Sequence, residues 1–272
     1  MNDLMVTYRL AMRRRGLAAG SIDRRLAVAR WWLEAVPDWQ HATRRDVERW
    51  VDGRPVGPRT RYLMLSSLHM FYLWARREEL AEHDPTELVE RPRLPRRLPR
   101  PMRSPAYRLA RETAGPQLGA MLDCMALAGL RCVEVANLRW NDVDLMGRSM
   151  IVRGKGDQER KVGMSQDLAR SLWALDGGTG HVFRGRAGAP LKPARVSQIV
   201  NRHLHALGIE DSAHSLRHRY ASELYRESHG DLLLVRDQLG HADVATTQIY
   251  ARIDDDAAAV AARLMDAAAK RL

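Results

Sequence analysis

Lysine is nearly missing from this 272-residue chain. Of its 44 basic residues only Lys155, Lys161, Lys192 and Lys270 are lysines, and the other 40 are arginines. Arginine holds its proton at any ordinary pH, whereas lysine can release one. Almost all of the positive charge is therefore excluded from acid–base work, and a lysine at a proton-transfer position stands out. Lys155, between Gly154 and Gly156, is such a lysine. Cysteine is scarcer still. Cys124 and Cys132 are the only two, and their spacing fits neither a zinc site nor a redox pair. Both fall in an apolar helical pattern, which predicts buried free thiols in a reducing compartment. No apolar run approaches membrane-spanning length, and Met1-Asn2-Asp3-Leu4-Met5 lacks the apolar core of a signal peptide. No His/Cys/carboxylate spacing suggests a metal site, and no internal repeat is found.

What is present is a folding chain with a strong charge surplus. The hydrophobic fraction is 45%, ordinary for a protein with a real core. The formal net charge is +11 and the sequence pI is about 10.3. A surplus of that size favours a polyanionic partner through counterion release.

Residues 1–90 read as a helical bundle. Leu4, Met5, Tyr8, Ala11 and Met12 recur at helical spacing before Gly16. Ser21 is the expected N-cap of a helix through Trp31, Trp32 and Val36 that stops at Pro37. Thr43 caps a short helix over Val47, Trp50 and Val51, and Pro58 opens a longer one through Leu68, Phe71 and Trp74. Trp31, Trp32, Trp50 and Trp74 are expected in the core. Residues 91–105 are dense in proline and arginine, which favours an extended cationic linker lying along a phosphate backbone. Residues 106–272 form a second domain. Helices are expected near 105–113, 116–129, 131–138, 166–175, 193–207, 215–228, 231–239 and 244–251. Strands near 148–153 and 159–164 flank a turn at Gly154-Lys155-Gly156-Asp157. The alanine-rich tail, about 256–270, is expected to be a last helix.

Six residues in this second domain make one chemical set. His214 and Arg217 are three apart, so a helix puts them on one face. Arg131 comes from a separate helix, and two guanidiniums from two directions can hold the non-bridging oxygens of one phosphate. That grip strengthens as charge builds in the transition state. Tyr250 offers a phenol nucleophile, with a reference pKa near 10 that demands help. Lys155 can donate a proton to a departing 5′-hydroxyl, and His241 can donate a hydrogen bond to the phosphate. Glu134, one turn after Arg131, can fix a basic rotamer. His203 and His205 read as surface or DNA-facing residues, His218 has no assigned role, and Arg139 and Trp140 are expected to brace the site.

These residues sit in motifs that resemble the tyrosine recombinase, or phage-type integrase, family. The carriers are Gly129-Leu130-Arg131…Glu134…Leu138-Arg139-Trp140…Asp142, Gly154-Lys155-Gly156…Arg160, His214-Ser215-Leu216-Arg217-His218, and Leu239-Gly240-His241…Thr246-Thr247-Gln248-Ile249-Tyr250. Gly57-Pro58-Arg59-Thr60…Leu68…Phe71-Tyr72…Trp74-Ala75 and Asp84-Pro85-Thr86 resemble the family's core-binding domain. The resemblance implies a mainly α fold with a small antiparallel β-sheet, made of a helical core-binding (SAM-like) domain and an α+β catalytic domain. It implies a site-specific recombinase that forms a 3′-phosphotyrosyl bond through Tyr250 and needs no cofactor, metal or ATP. Arg131, Arg217, His214, His241 and Lys155 would be catalytic and Glu134 supporting. Arg24, Arg25, Arg59, Arg61, Arg91, Arg93, Arg96, Arg97 and Arg100 are the candidate DNA contacts. Implied partners are double-stranded DNA attachment sites and three further copies of the chain, in a tetramer with C-terminal tail exchange. A directionality or DNA-bending factor is a further candidate partner. The expected location is the bacterial cytoplasm, on DNA. On this resemblance the chain is expected to start directly with the core-binding bundle, without an arm-binding domain. A phage or mobile-element integrase is the leading expectation, with a chromosome-dimer resolvase or a catalytically silent DNA-binding protein as alternatives.

Overall fold

The computed structural model describes residues 2–94, 100–154, 159–175, 177–185, 188–240 and 247–251. The chain divides into two compact units, Met1–Arg96 and Arg97–Leu272.

The first unit holds α1 (Asn2–Arg14), α2 (Ala19–Ala35), α3 (Arg44–Asp52) and α4 (Pro58–Arg77). Pro58 occupies the first turn of α4, where its missing N–H costs nothing. At α3 the Thr43 N–H donates to the Asp46 carboxylate at 2.9 Å, which satisfies one of the orphan donors of a helix start. The expected cap at Ser21 is wrong. α2 begins at Ala19 with Ala18 as its N-cap, and the Ser21 and Ile22 N–H groups both donate to the Ala18 carbonyl. With α1 already ended, the chain can re-enter helix at once, so Ser21 lies inside the first turn.

The core of this unit is aromatic. Trp32, Trp39, Trp50, Phe71, Tyr72 and Trp74 are buried and pack largely edge to face. Trp32 Nε1 donates to the Tyr72 hydroxyl at 2.9 Å, and that hydroxyl donates to the Trp39 carbonyl at 2.7 Å. Trp32 Nε1 and the Tyr72 hydroxyl thus each find a partner inside the core. Trp31 corrects the expectation, being 49% exposed. The buried face of α2 carries Ile22, Leu26, Ala29, Trp32 and Leu33, and Trp31, about 100° round from Trp32, falls on its outer side.

The second unit contains α5 (Ser104–Glu112), α6 (Pro116–Leu127), α7 (Cys132–Asn137), β1 (Val143–Asp144), β2 (Ser149–Arg153), β3 (Glu159–Gly163), α8 (Gln166–Trp173), α9 (Pro193–Ala206), α10 (Ala213–Glu227), α11 (Leu232–Leu239) and α12 (Gln248–Ala251). The fold is mainly α with a small antiparallel sheet, in the order β1-β2-β3. Met150, Val152 and Val162 are buried at alternating positions, as period two requires. The two-residue β1 was not anticipated, because a strand that short shows no alternation. α6 is buried from Gly119 to Ala126 and packs against α8, α9 and α10. The expected helix over 244–251 is seen as Gln248–Ala251, preceded by a turn at Thr247; residues 244–246 fall outside the described residues, as does the tail at 256–270.

Cys124 is buried and Cys132 half-buried, both as free thiols. His203 is half-buried rather than fully on the surface. It hydrogen-bonds the Ala110 carbonyl at 2.8 Å and so satisfies the C-terminal end of α5. His205 is exposed. Trp140 packs against the core, and Arg139, exposed, forms a backbone bridge with His181.

Candidate active site

Glu134 sits at the start of α7 and is 3% exposed. A lone buried carboxylate would be expelled or protonated. This one is held by four hydrogen bonds. The Arg131 N–H donates at 2.8 Å and Arg131 Nη1 at 2.9 Å. Arg160, on β3, places Nη1 and Nη2 on the two carboxylate oxygens at 2.8 and 2.9 Å. Arg217 Nη1 lies 3.6 Å from the same carboxylate. Burial alone would raise the Glu134 pKa, but the Arg160 hydrogen bonds, the Arg131 N–H and the charges of Arg160 and Arg217 outweigh it and hold the group below the usual carboxylate range. The site therefore carries three arginines around one fixed negative charge.

The C-terminal end of α11 supplies the remaining acceptors. Arg131 Nη1 donates to the Leu239 carbonyl at 3.2 Å, Arg217 Nη2 to the same oxygen at 2.7 Å, and Arg160 Nε to the Gln238 carbonyl at 2.9 Å. The last carbonyls of a helix lack intrahelical partners and form its negative end, so they favour cations. Arg217 also donates to the Gly129 carbonyl. Gly129 has φ +66, and a Cβ there would collide with the Tyr220 ring, so no larger residue fits. Burial, then the neighbouring charge of Arg131, push the Arg217 pKa down to about 9, and it stays protonated at neutral pH. Arg131 is the more open of the pair, with its side chain 36% exposed against 2% for Arg217.

Tyr250, on α12, is buried, and its hydroxyl lies 2.9 Å from His218 Nδ1. Burial raises the phenol pKa, and the positive charges of Arg217 and Arg131 pull it back. The His218 ring in turn packs edge to face on His214 at 4.3 Å. His214, His218 and Arg217 all come from α10, at spacings of three and four residues that share one helix face. Desolvation of the His214 ring and the charges of Arg217 and Arg131 lower its pKa. His218 and Arg160 are the site residues to which the sequence assigned no role. The spacing from His214 was the available signal for His218.

Arg131, Glu134, His214, Arg217 and Tyr250 thus come together, joined by Arg160 and His218. Lys155 and His241 lie outside the described residues, as do Arg96 and Arg97. Of the candidate DNA contacts, Arg24, Arg59, Arg91, Arg93 and Arg100 are exposed, and Arg25 and Arg61 are half-buried. Arg61 is paired with Asp52, which offsets its charge. Among the described residues, no group of three or more His, Cys, Asp or Glu is placed to hold a metal ion, and no helix is long and apolar enough to cross a membrane.

The phage integrase family model matches residues 107–257. A tyrosine recombinase XerC of Xanthomonas campestris pv. campestris (strain B100) is 34% identical over 220 residues, covering 74% of this chain and 66% of the relative. The chain thus spans just under two thirds of that relative's length. Two solved structures share the fold. A lambda integrase dimer bound to a COC' core site has a TM-score of 0.74 at 16% identity, covering 92% of this chain and 76% of the other. A lambda integrase tetramer bound to a Holliday junction has a TM-score of 0.72 at 16% identity, covering 89% and 77%.

Proposed function

This chain belongs to the phage integrase family of tyrosine recombinases, and from that premise we propose that it cuts and rejoins DNA strands at specific sites through a covalent phosphotyrosyl intermediate. The observation that carries this reading is the convergence of Tyr250 from α12, His218 and Arg217 from α10, and Arg131 from the start of α7.

Arg131 and Arg217 grip the scissile phosphate and stabilise the charge that builds on its non-bridging oxygens. The Tyr250 phenol, protonated at neutral pH, attacks phosphorus. With its own proton on Nε2, His218 accepts the phenolic proton through Nδ1. The bond from phosphorus to the 5′-oxygen breaks, and Lys155 protonates that oxygen as it leaves. A 5′-hydroxyl from a partner duplex later attacks the phosphotyrosine, returns the proton to Tyr250 and rejoins the strand. His214 and His241 contact the phosphate. The energy of the broken bond stays in the covalent link, so ATP is not consumed.

The helical first unit is the core-site DNA-binding domain, with Arg24, Arg59, Arg91 and Arg93 on its exposed surface supporting phosphate contacts. A tetramer on two DNA sites is the working assembly, with tail exchange through residues 256–270. The XerC relatives favour a chromosome-dimer resolvase over a phage or mobile-element integrase.

The test is covalent capture. On nicked DNA carrying the recombination site, with EDTA and without ATP, the protein should form a denaturant-resistant adduct that Tyr250→Phe abolishes. Binding without an adduct would leave a catalytically silent DNA-binding protein. Sequencing adducts trapped in cells supplies the site and separates the finer readings. One chromosomal site independent of any mobile element means a resolvase, and sites at element junctions mean an integrase.

A further inference from the structure

Arg160 carries no role in the mechanism above, yet it is among the most constrained side chains at the site. Its side chain is 12% exposed. All three of its side-chain nitrogens are engaged, Nη1 and Nη2 with Glu134 and Nε with the Gln238 carbonyl. Gly240 closes the arrangement from another side. Its φ is +63, and a Cβ there would meet Arg160 Cδ and Nη1 at 3.0 Å and Nε at 3.2 Å. The strand bearing Arg160 is tied to the same helix end a second time. Gln238 Oε1 accepts from the Gly163 N–H at 3.3 Å, and Gln238 Nε2 donates to the Lys161 carbonyl at 3.4 Å.

A carboxylate offers about four lone-pair sites. Arg160 takes two on Glu134, and Arg131 takes two through its N–H and Nη1. Arg217 is thereby kept at 3.6 Å, its guanidinium directed instead to the Gly129 and Leu239 carbonyls. Without the Arg160 fork, Glu134 would have two open lone-pair sites beside two cations, and both arginines would be drawn onto it and away from a phosphate.

We propose that Arg160 is a positioning residue for the phosphate clamp: by saturating Glu134 and anchoring to the end of α11, it sets where Arg131 and Arg217 present their charge. The proposal rests on the clamp assigned under Proposed function. Lysine cannot replace it, because one ammonium cannot make a planar fork and a third bond in another direction.

The experiment compares adduct formation on two nicked substrates. One carries the ordinary scissile phosphate. The other carries a methylphosphonate, in which a methyl group replaces a non-bridging oxygen and the reacting centre needs less positive charge. Arg160→Lys should slow the phosphate reaction on the order of 10²-fold and the methylphosphonate reaction less than about threefold, with DNA affinity unchanged and both rates measured below the variant's unfolding temperature. Arg160→Gln, which keeps a planar donor, is expected to show the same contrast at smaller size and covers a lysine variant that folds poorly. Equal slowing on both substrates, or none on phosphate, overturns the proposal. Arg131→Ala serves as the reference. If it too loses equally on both substrates, the clamp assignment itself falls and takes this proposal with it. If Arg131→Ala shows the contrast and Arg160→Lys does not, only the positioning role of Arg160 falls.

Discussion

Arginine does opposite things in the two compact units. In Met1–Arg96 the interior is tryptophan, tyrosine and aliphatic, and Arg24, Arg59, Arg91 and Arg93 are held out in solvent. In Arg97–Leu272, Arg217 is buried and Arg160 nearly so, both facing a buried carboxylate. Burying a guanidinium is costly unless its hydrogen bonds are met. The second unit meets them with Glu134 and with the carbonyls of Gly129, Gln238 and Leu239. An outward arginine adds charge that any phosphate can use. An inward arginine held by several hydrogen bonds has a fixed direction, which transition-state stabilisation requires. On the proposed function, the first unit's outward arginines would serve binding and the second unit's inward arginines would serve reaction.

Breaking the inward arrangement should have the largest effect. Glu134→Ala leaves Arg131, Arg160 and Arg217 facing one another and should cost about 3–5 kcal/mol of stability in the second unit, measured by urea unfolding of the whole chain. The pH dependence follows from the direction of the shift. Glu134 is held below its ordinary value of 4.5. Its stabilising contribution is complete above that value and is lost as pH falls through the lower, folded-state value. Glu134→Gln should therefore remove part of the acid sensitivity that the parent shows below about pH 4.5.

The aromatic core of the first unit breaks in another way, through a cavity. Trp32→Ala should cost about 3–5 kcal/mol, while Trp31→Ala, one residue away and half exposed, should cost about 0.5 kcal/mol. Thermal unfolding followed by circular dichroism separates the two, and similar losses would mean that α2 is rotated from the orientation described here.

The smallest effect sharpens the contrast from the outside. Arg59→Ala should leave folding within about 0.5 kcal/mol, weaken DNA binding uniformly across sequences and reduce the salt slope by about one. Arg61→Ala should do less, because Asp52 already offsets that charge. A salt titration by fluorescence anisotropy measures both. A slope unchanged by Arg59→Ala would remove that residue from the DNA surface.

Much of this molecule was readable along the chain because its signals are local. Pro58, Pro116 and Pro193 mark helix starts, Gly16 and Gly240 mark ends, and the alternation at Met150 and Val152 marks a strand. Arg131, Glu134, His214, Arg217 and Tyr250 were legible as a set because each sits in a short motif of fixed spacing. Those spacings, the helical periods and the charge surplus are what the sequence by itself determined. Only the tertiary structure decided which of two adjacent tryptophans is inside, that His203 serves a helix end, that His218 meets the nucleophile and that Arg160 completes the carboxylate. The reason is distance along the chain. The Arg131 bond to Leu239 spans 108 residues, that of Arg217 to Gly129 spans 88, and that of Arg160 to Gln238 spans 78. Such contacts leave no periodicity to read, because they are made by the packing of whole elements whose faces are chosen by the burial of apolar surface elsewhere.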